Sequence, residues 1–158
     1  MTSARLAALA LALIAAFASP AARAETGPRV PRPVAPIGDA TVLQNDLSLG
    51  CPPHRDRGAG FGIRFEWTEP AAAAGVSGYD VVAERRGATA PIVERATTTP
   101  WLHVKQCNVF IIDANLDGWQ WRVRARDRRG RAGEWSPLAT FRFAPCRFAD
   151  GRPCNARP

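Results

Sequence analysis

Residues 116–143 read "LDGWQWRVRARDRRGRAGEWSPLATFRF", and this stretch decides the predicted fold. Apolar and polar residues alternate strictly over its first half. The apolar positions are Trp119, Trp121, Val123 and Ala125, and the polar ones are Gln120, Arg122, Arg124 and Arg126. Such alternation is typical of a strand with one buried face. The Gly- and Arg-rich residues 127–134 then predict a turn, and 138–143 predict a second strand. Together they predict a β-hairpin with a basic tip.

Further strands are predicted outside this hairpin. "FGIRFEW" (61–67) and "YDVVAER" (79–85) show the same period of two. Turns that carry Gly and Pro separate the runs, and no window after the N-terminal apolar segment has a helical stripe. Several short strands at this spacing predict an all-β protein, an antiparallel β-sandwich of about seven strands.

The N-terminus predicts export. Arg5 precedes an apolar run over 6–18, and Ala22-Arg23-Ala24 has the small residues that signal peptidase reads, so we predict a cleaved signal peptide over 1–24. An uncleaved anchor is the alternative, although the run is shorter than the ~20 residues that span a bilayer. No later stretch is predicted to cross a membrane. Residues 25–37, which are rich in proline, are predicted to form an extended leader outside the sheets.

The remaining chain is predicted to hold one domain over 38–145 and a tail over 146–158. All four cysteines, Cys51, Cys107, Cys146 and Cys154, lie beyond the predicted signal peptide. An even count in an exported chain favours two disulfides and a secreted or periplasmic location. A zinc site is disfavoured because the sequence has no C-x-x-C pair. The formal net charge of +7 weakly favours an anionic partner.

Two stretches resemble a fibronectin type III domain, which has an immunoglobulin-like sandwich fold. "FEWTEPAAAAGVSGYDVVAER" (65–85) resembles the passage from strand B to strand C, and 116–143 resemble strand F, the F–G loop and strand G. Leu116 fits the leucine before the turn. Trp119 stands where the family usually has the tyrosine of the tyrosine corner, and its indole N–H could donate to a backbone carbonyl. The resemblance covers about residues 34–143.

The resemblance also implies a disulfide pairing. The A–B and E–F passages are longer than usual, each contains a cysteine, and in this fold they share one pole of the sandwich. This favours Cys51–Cys107, with Cys146–Cys154 pinning the tail after strand G. The alternative pairing joins Cys51 to Cys146 and Cys107 to Cys154. It stays open because strand E could lie at 99–105 or at 107–112.

The most basic candidate site is the hairpin itself. In a fibronectin type III fold strand C pairs with strand F, so Arg122, Arg124 and Arg126 should lie on an outer face beside Asp80 and Glu84, with Trp135 next to them. We predict a structural stack of arginines on Trp135, with a binding face as the alternative. The loop tip at Arg128, Arg129 and Arg131 could bind a protein or an anionic glycan or lipid. The alternative is a solvated hairpin.

Other functions find less support in the sequence. Trp101 should face outward on the other sheet, covered by the apolar insertion 108–112, although an exposed recognition anchor is the alternative. Nucleic acid is not an expected partner because the loop lacks aromatic residues for base stacking. His54 and His103 have no metal-ligand spacing, and no catalytic serine motif or phosphate loop occurs. We predict no enzyme, cofactor or metal, but an exported binding module, or alternatively an accessory protein of the cell envelope.

Overall fold

The computed structural model describes residues 30–45, 49–51, 60–70, 75–148 and 150–154. The predicted signal peptide lies outside them and stays a prediction. The strands are β1 (Arg32–Ala35), β2 (Thr41–Val42), β3 (Gly60–Thr68), β4 (Val76–Arg85), β5 (Val93–Thr97), β6 (Trp101–Cys107), β7 (Trp119–Asp127) and β8 (Ala139–Phe143), with one 3-10 turn at Asp113–Asn115. Across these ranges no helix has the length and apolar character to span a membrane.

Two sheets form the fold. One has the order β1-β3-β6 and the other β2-β8-β7-β4-β5. All pairings are antiparallel except that of β2 with β8. Strands B, C, E, F and G of the fibronectin type III arrangement correspond to β3, β4, β6, β7 and β8. The order confirms the predicted all-β, immunoglobulin-like sandwich and places strand E at Trp101–Cys107, close to the first of the two predicted ranges.

Aromatic side chains fill the space between the sheets. On β7 buried and half-buried residues alternate, as the sequence predicts. Trp121 is fully buried, with its ring centroid 5.0 Å from that of Phe65, and Trp67 meets Tyr79 edge-on at 5.1 Å. Burial of such large apolar surfaces is the main stabilising contribution in a small sandwich.

β1 lies inside the segment that the sequence predicts to be a leader outside the sheets. Its residues pair with the end of β3, Arg32 opposite Thr68 and Pro33 opposite Trp67. Proline cannot donate to a ladder, but an edge strand needs donors on one side only. Just after β1, the carbonyl of Pro36 accepts a 2.7 Å hydrogen bond from Nε1 of Trp121. The C-terminal half of the predicted leader is therefore an edge of the sandwich.

A tryptophan replaces the tyrosine of the tyrosine corner. Nε1 of Trp119 donates a 2.7 Å hydrogen bond to the carbonyl of Asn115, four residues earlier. Leu116 is buried beneath the same turn. A tyrosine hydroxyl makes the equivalent bond at the start of strand F in immunoglobulin-like domains. The indole thus provides a hydrogen bond to the carbonyl of Asn115 and fixes the connection from the 3-10 turn into β7.

We expect Trp119→Phe to lower the free energy of unfolding by about 1–2 kcal/mol, because the bond to Asn115 is lost and some buried surface with it. Trp119→Tyr should cost less, since a hydroxyl can restore the donor. Urea denaturation at equilibrium measures both. Equal losses in the two variants would show that the hydrogen bond contributes nothing.

Two disulfides and a buried glutamine cross-link one pole of the sandwich. The disulfides are Cys51–Cys107 and Cys146–Cys154, with Cα atoms 5.5 and 5.4 Å apart, which confirms the favoured pairing. The third link is the buried side chain of Gln44. Its Nε2 donates to the carbonyls of Ala144 (2.6 Å) and Ile111 (3.1 Å), and its Oε1 accepts from the amide of Ile111 (2.5 Å). Gln44 thus ties together the segments that follow β2, β6 and β8. The sequence gives no sign of this role.

Candidate binding surface

The outward side of the larger sheet carries four of the eight predicted binding residues. The pairing of β4 with β7 sets Asp80 opposite Arg124, Val82 opposite Arg122, and Glu84 opposite Gln120. Trp135, from the segment between β7 and β8, stands over the same surface. We call this surface the arginine face. It is formed by Asp80, Val82, Glu84, Arg122, Arg124, Arg126 and Trp135.

The predicted stack of arginines on Trp135 is confirmed. The Cζ atoms of Arg122 and Arg124 lie 4.8 and 4.4 Å from the centre of the ring. Trp135 is positioned by the buried Ser136, whose amide donates to the carbonyl of Val123 and whose Oγ accepts from the Val123 amide. Each cation–π contact at a partly exposed site contributes about 0.5–1 kcal/mol. The stack therefore orders the guanidinium groups.

Arg122, Arg124 and Arg126 form a ladder of arginines along β7, and Asp80 binds the last two of them. Its two carboxylate oxygens accept from Nε of Arg124 at 2.8 Å and Nε of Arg126 at 2.7 Å. Burial acts to raise the pKa of Asp80, but the hydrogen bonds from Arg126 and Arg124 outweigh it and hold the pKa below its ordinary value. Glu84 does not join the ladder, contrary to expectation. It lies opposite Gln120 and accepts its hydrogen bond from that side chain.

The depressed pKa of Asp80 predicts an acid-sensitive contribution to stability. Because the folded-state pKa is below the unfolded value of about 3.9, the contribution is fully present above that pH and is lost as the pH falls through the folded pKa. We expect Asp80→Asn to cost about 2 kcal/mol at pH 7, and the gap to wild type to close below pH ~3.9. Chemical denaturation across this pH range measures it. A gap that is constant with pH would contradict the assignment.

Asp127 organises the loop tip. Its Oδ1 accepts from the amides of Arg129 (2.8 Å) and Arg131 (2.9 Å), and its Oδ2 accepts from Nε of Arg131 at 2.7 Å. The hydrogen bond from the Arg131 side chain is the main cause that lowers the pKa of Asp127. The carboxylate thus closes the turn, and Arg131 is engaged within it. The sequence alone does not show that Arg131 differs in this way from Arg128 and Arg129.

Arg128 and Arg129 are the open cations of the tip. Both are exposed, and among the described residues neither side chain forms an ion pair or a hydrogen bond. The amide of Arg128 donates to the carbonyl of Gly75, which ties the tip to the residue before β4. Of the three predicted tip residues, two therefore remain available to solvent on an ordered turn. Their role in binding stays a prediction.

Trp101 lies on the other sheet and is exposed. Its side chain is 41% accessible, and the guanidinium of Arg64 lies over the ring at 5.0 Å. The prediction that residues 108–112 cover it is wrong. Trp101 begins β6 and the insertion follows its end at Cys107, about 20 Å away at ~3.3 Å per residue. Ile111 of the insertion packs on the core instead.

The arginine face also has a concave region. A shallow depression of about 180 Å³ lies on the arginine face above Val82 and Ala96, with Trp135 on one side and Glu94 and Arg95 on the other. Within the described part of the chain, no group of three or more His, Cys, Asp or Glu side chains could hold a metal ion. His54 lies outside the described residues.

Comparison with known proteins adds a likeness in structure only. No protein-family model and no curated protein matches the chain. It is similar to the fibronectin type-III domain of human fibronectin type III domain containing protein 3, at 16% identity and a TM-score of 0.46, covering 79% of this chain and 94% of that one. It is also similar to the human OSCAR ligand-binding domain, at 16% identity and a TM-score of 0.36, covering 72% and 48%. The fold assignment rests on the strand order and register described above.

Proposed function

We propose that the protein is an exported, non-catalytic binding module that takes an anionic partner at its basic tip. The observation that carries the proposal is the pair of exposed guanidinium groups at Arg128 and Arg129, which form no ion pair with any described residue, on a turn that Asp127 closes. A loop that is ordered before binding loses little conformational entropy when the partner arrives.

The charge distribution around the tip supports an anionic partner. Two acidic residues of this region are already engaged, Asp80 with two arginines and Asp127 with the turn. Arg128 and Arg129 form no ion pair with any described residue, so they give the tip a positive potential that the exposed Glu134, farther along the loop, offsets only in part. Such a potential attracts anions and weakens as salt screens it. Export is supported by the two disulfides, which persist in oxidising compartments.

Heparin binding at two salt concentrations tests the proposal. We expect the double variant Arg128→Ala/Arg129→Ala to bind heparin about tenfold or more weakly than wild type at low salt, because two charge contacts are removed. The matched control is Arg86→Ala/Arg147→Ala, which removes the same charge from exposed positions at the opposite pole and should change affinity little. Titration calorimetry at about 50 and 300 mM NaCl measures both variants.

A parallel titration with vesicles that contain phosphatidylglycerol separates a lipid partner from a glycan. Equal heparin affinity of the tip variant and the control variant would overturn the role of the tip. If neither heparin nor the vesicles bind, and a protein of the cell envelope co-purifies with the full chain, the accessory role in the envelope is favoured instead.

A further inference from the structure

Arg122 is the one member of the ladder whose charge is not neutralised within the described residues. The register sets it opposite Val82, an apolar residue, while Arg124 and Arg126 share Asp80. The nearest candidate acid, Glu84, lies opposite Gln120 and is bonded to it. Arg122 is half-buried, and its Nε is buried without an acceptor in the structure.

Because the Nε of Arg122 is buried, an acceptor from outside would bind the terminal nitrogens of this half-buried guanidinium. Trp135 restricts the position of this guanidinium, whose Cζ lies 4.8 Å from the centre of the indole ring. An arginine fixed in this way presents a planar fork of donors, and the group that matches such a fork is a carboxylate bound through both oxygens. The geometry at Arg122 therefore points to a carboxylate rather than to a diffuse polyanion.

Apolar side chains lie on two sides of Arg122. Trp135 covers one side of it. Leu138 precedes Ala139, which pairs with Trp121, so it lies beside Arg122 on the outward side, and it is 53% exposed. The depression above Val82 and Ala96 adjoins Trp135. Arginine and tryptophan are enriched at the energetic centres of protein interfaces, and their combination here favours a polypeptide over a glycan.

We propose that the arginine face docks an acidic segment of a protein partner. A Glu or Asp carboxylate of the partner binds the guanidinium of Arg122, and a neighbouring apolar side chain packs on Leu138 and Trp135. This inference rests on the proposed function, since it names the partner of the same basic hairpin. It adds a second contact region on β7, distinct from Arg128 and Arg129.

Two synthetic hexapeptides test it, one of alternating Glu and Leu and one with Gln in place of Glu. We expect the Glu peptide to shift the Nε–Hε resonance of Arg122 in the NMR spectrum of the full chain. The Gln peptide should bind at least about tenfold more weakly than the Glu peptide, because the charged acceptor is missing. Arg122→Lys keeps the charge but loses the fork, and should weaken the Glu peptide about fivefold to tenfold. Arg86→Lys is the matched control and should change nothing.

The outcomes separate this inference from the proposed function. If the Arg122 resonance does not move and Arg122→Lys binds like wild type, while heparin still requires Arg128 and Arg129, the docking site is wrong and the basic tip stands. If heparin shifts the Arg122 resonance to saturation and the Glu peptide does not shift it, the partner is a glycan and the inference is overturned. If neither probe binds, both proposals fail. Leu138→Ser should lower the affinity for the Glu peptide and leave the affinity for heparin unchanged. A variant with unchanged affinity for the peptide and lower affinity for heparin would also contradict docking.

Discussion

Removal of the bridge between Cys51 and Cys107, by the double substitution Cys51→Ser/Cys107→Ser, will lower the free energy of unfolding by about 4 kcal/mol. The bridge spans 56 residues and joins the segment before β3 to the end of β6. Without the bridge the unfolded chain has more conformational entropy, so folding has to overcome the additional entropy cost of closing this loop. Equilibrium denaturation in guanidinium chloride measures the loss.

The second disulfide is the matched control. Cys146–Cys154 spans only eight residues, so Cys146→Ser/Cys154→Ser should cost about 2.5 kcal/mol on the same loop-entropy relation. The difference between the two double variants tests the cause as well as the size of the effect. A loss for the short bridge that equals or exceeds that for the long one would show that loop closure does not control the stability of this pole.

Gly60→Ala will destabilise the protein by about 3 kcal/mol or more. Gly60 begins β3 with φ +117°, a conformation that side chains rarely adopt. A Cβ atom there would lie 1.9 Å from the carbonyl oxygen of Gln106 and 2.9 Å from Cα of Cys107. Both atoms belong to the backbone of β6, so neither can rotate away, and the strands must separate beside the disulfide. The variant is measured by thermal and urea denaturation.

Gly87→Ala provides the comparison. Gly87 also has a positive φ, +79°, but a Cβ atom would meet nothing within 4 Å. Only the conformational penalty applies, and we expect a loss of about 1 kcal/mol. If both substitutions cost the same, the close approach of β6 to β3 at Gly60 is not a constraint.

The alternation of residues allowed much of this fold to be predicted. A period of two assigns every residue of a strand to one face, so the burial of Phe65 and Trp121 and the outward direction of Arg122 follow from the letters alone. The disulfide pairing followed from the family resemblance, because the resemblance placed the two long connections at one pole.

Register and the path of irregular segments could not be predicted in the same way. The difference between Glu84 lying opposite an arginine and Glu84 lying opposite Gln120 is a register shift of two residues, which depends on hydrogen bonds between β4 and β7. The exposure of Trp101 depends on the path that the insertion takes after it leaves the end of β6. The roles of Gln44 and Asp127 consist of bonds to the backbone of remote or turning segments, which leave no pattern in the sequence.

The cross-links and the basic tip lie at opposite ends of the molecule. Both disulfides and Gln44 lie where β7 begins, while Asp127 ends β7 about 27 Å away at ~3.4 Å per residue. The sandwich thus has an anchoring end and a presenting end. A surface or fusion partner attached after Cys154 would be joined to the anchoring end, so immobilisation through the C-terminus should leave the basic tip oriented outward for a sensor or display format.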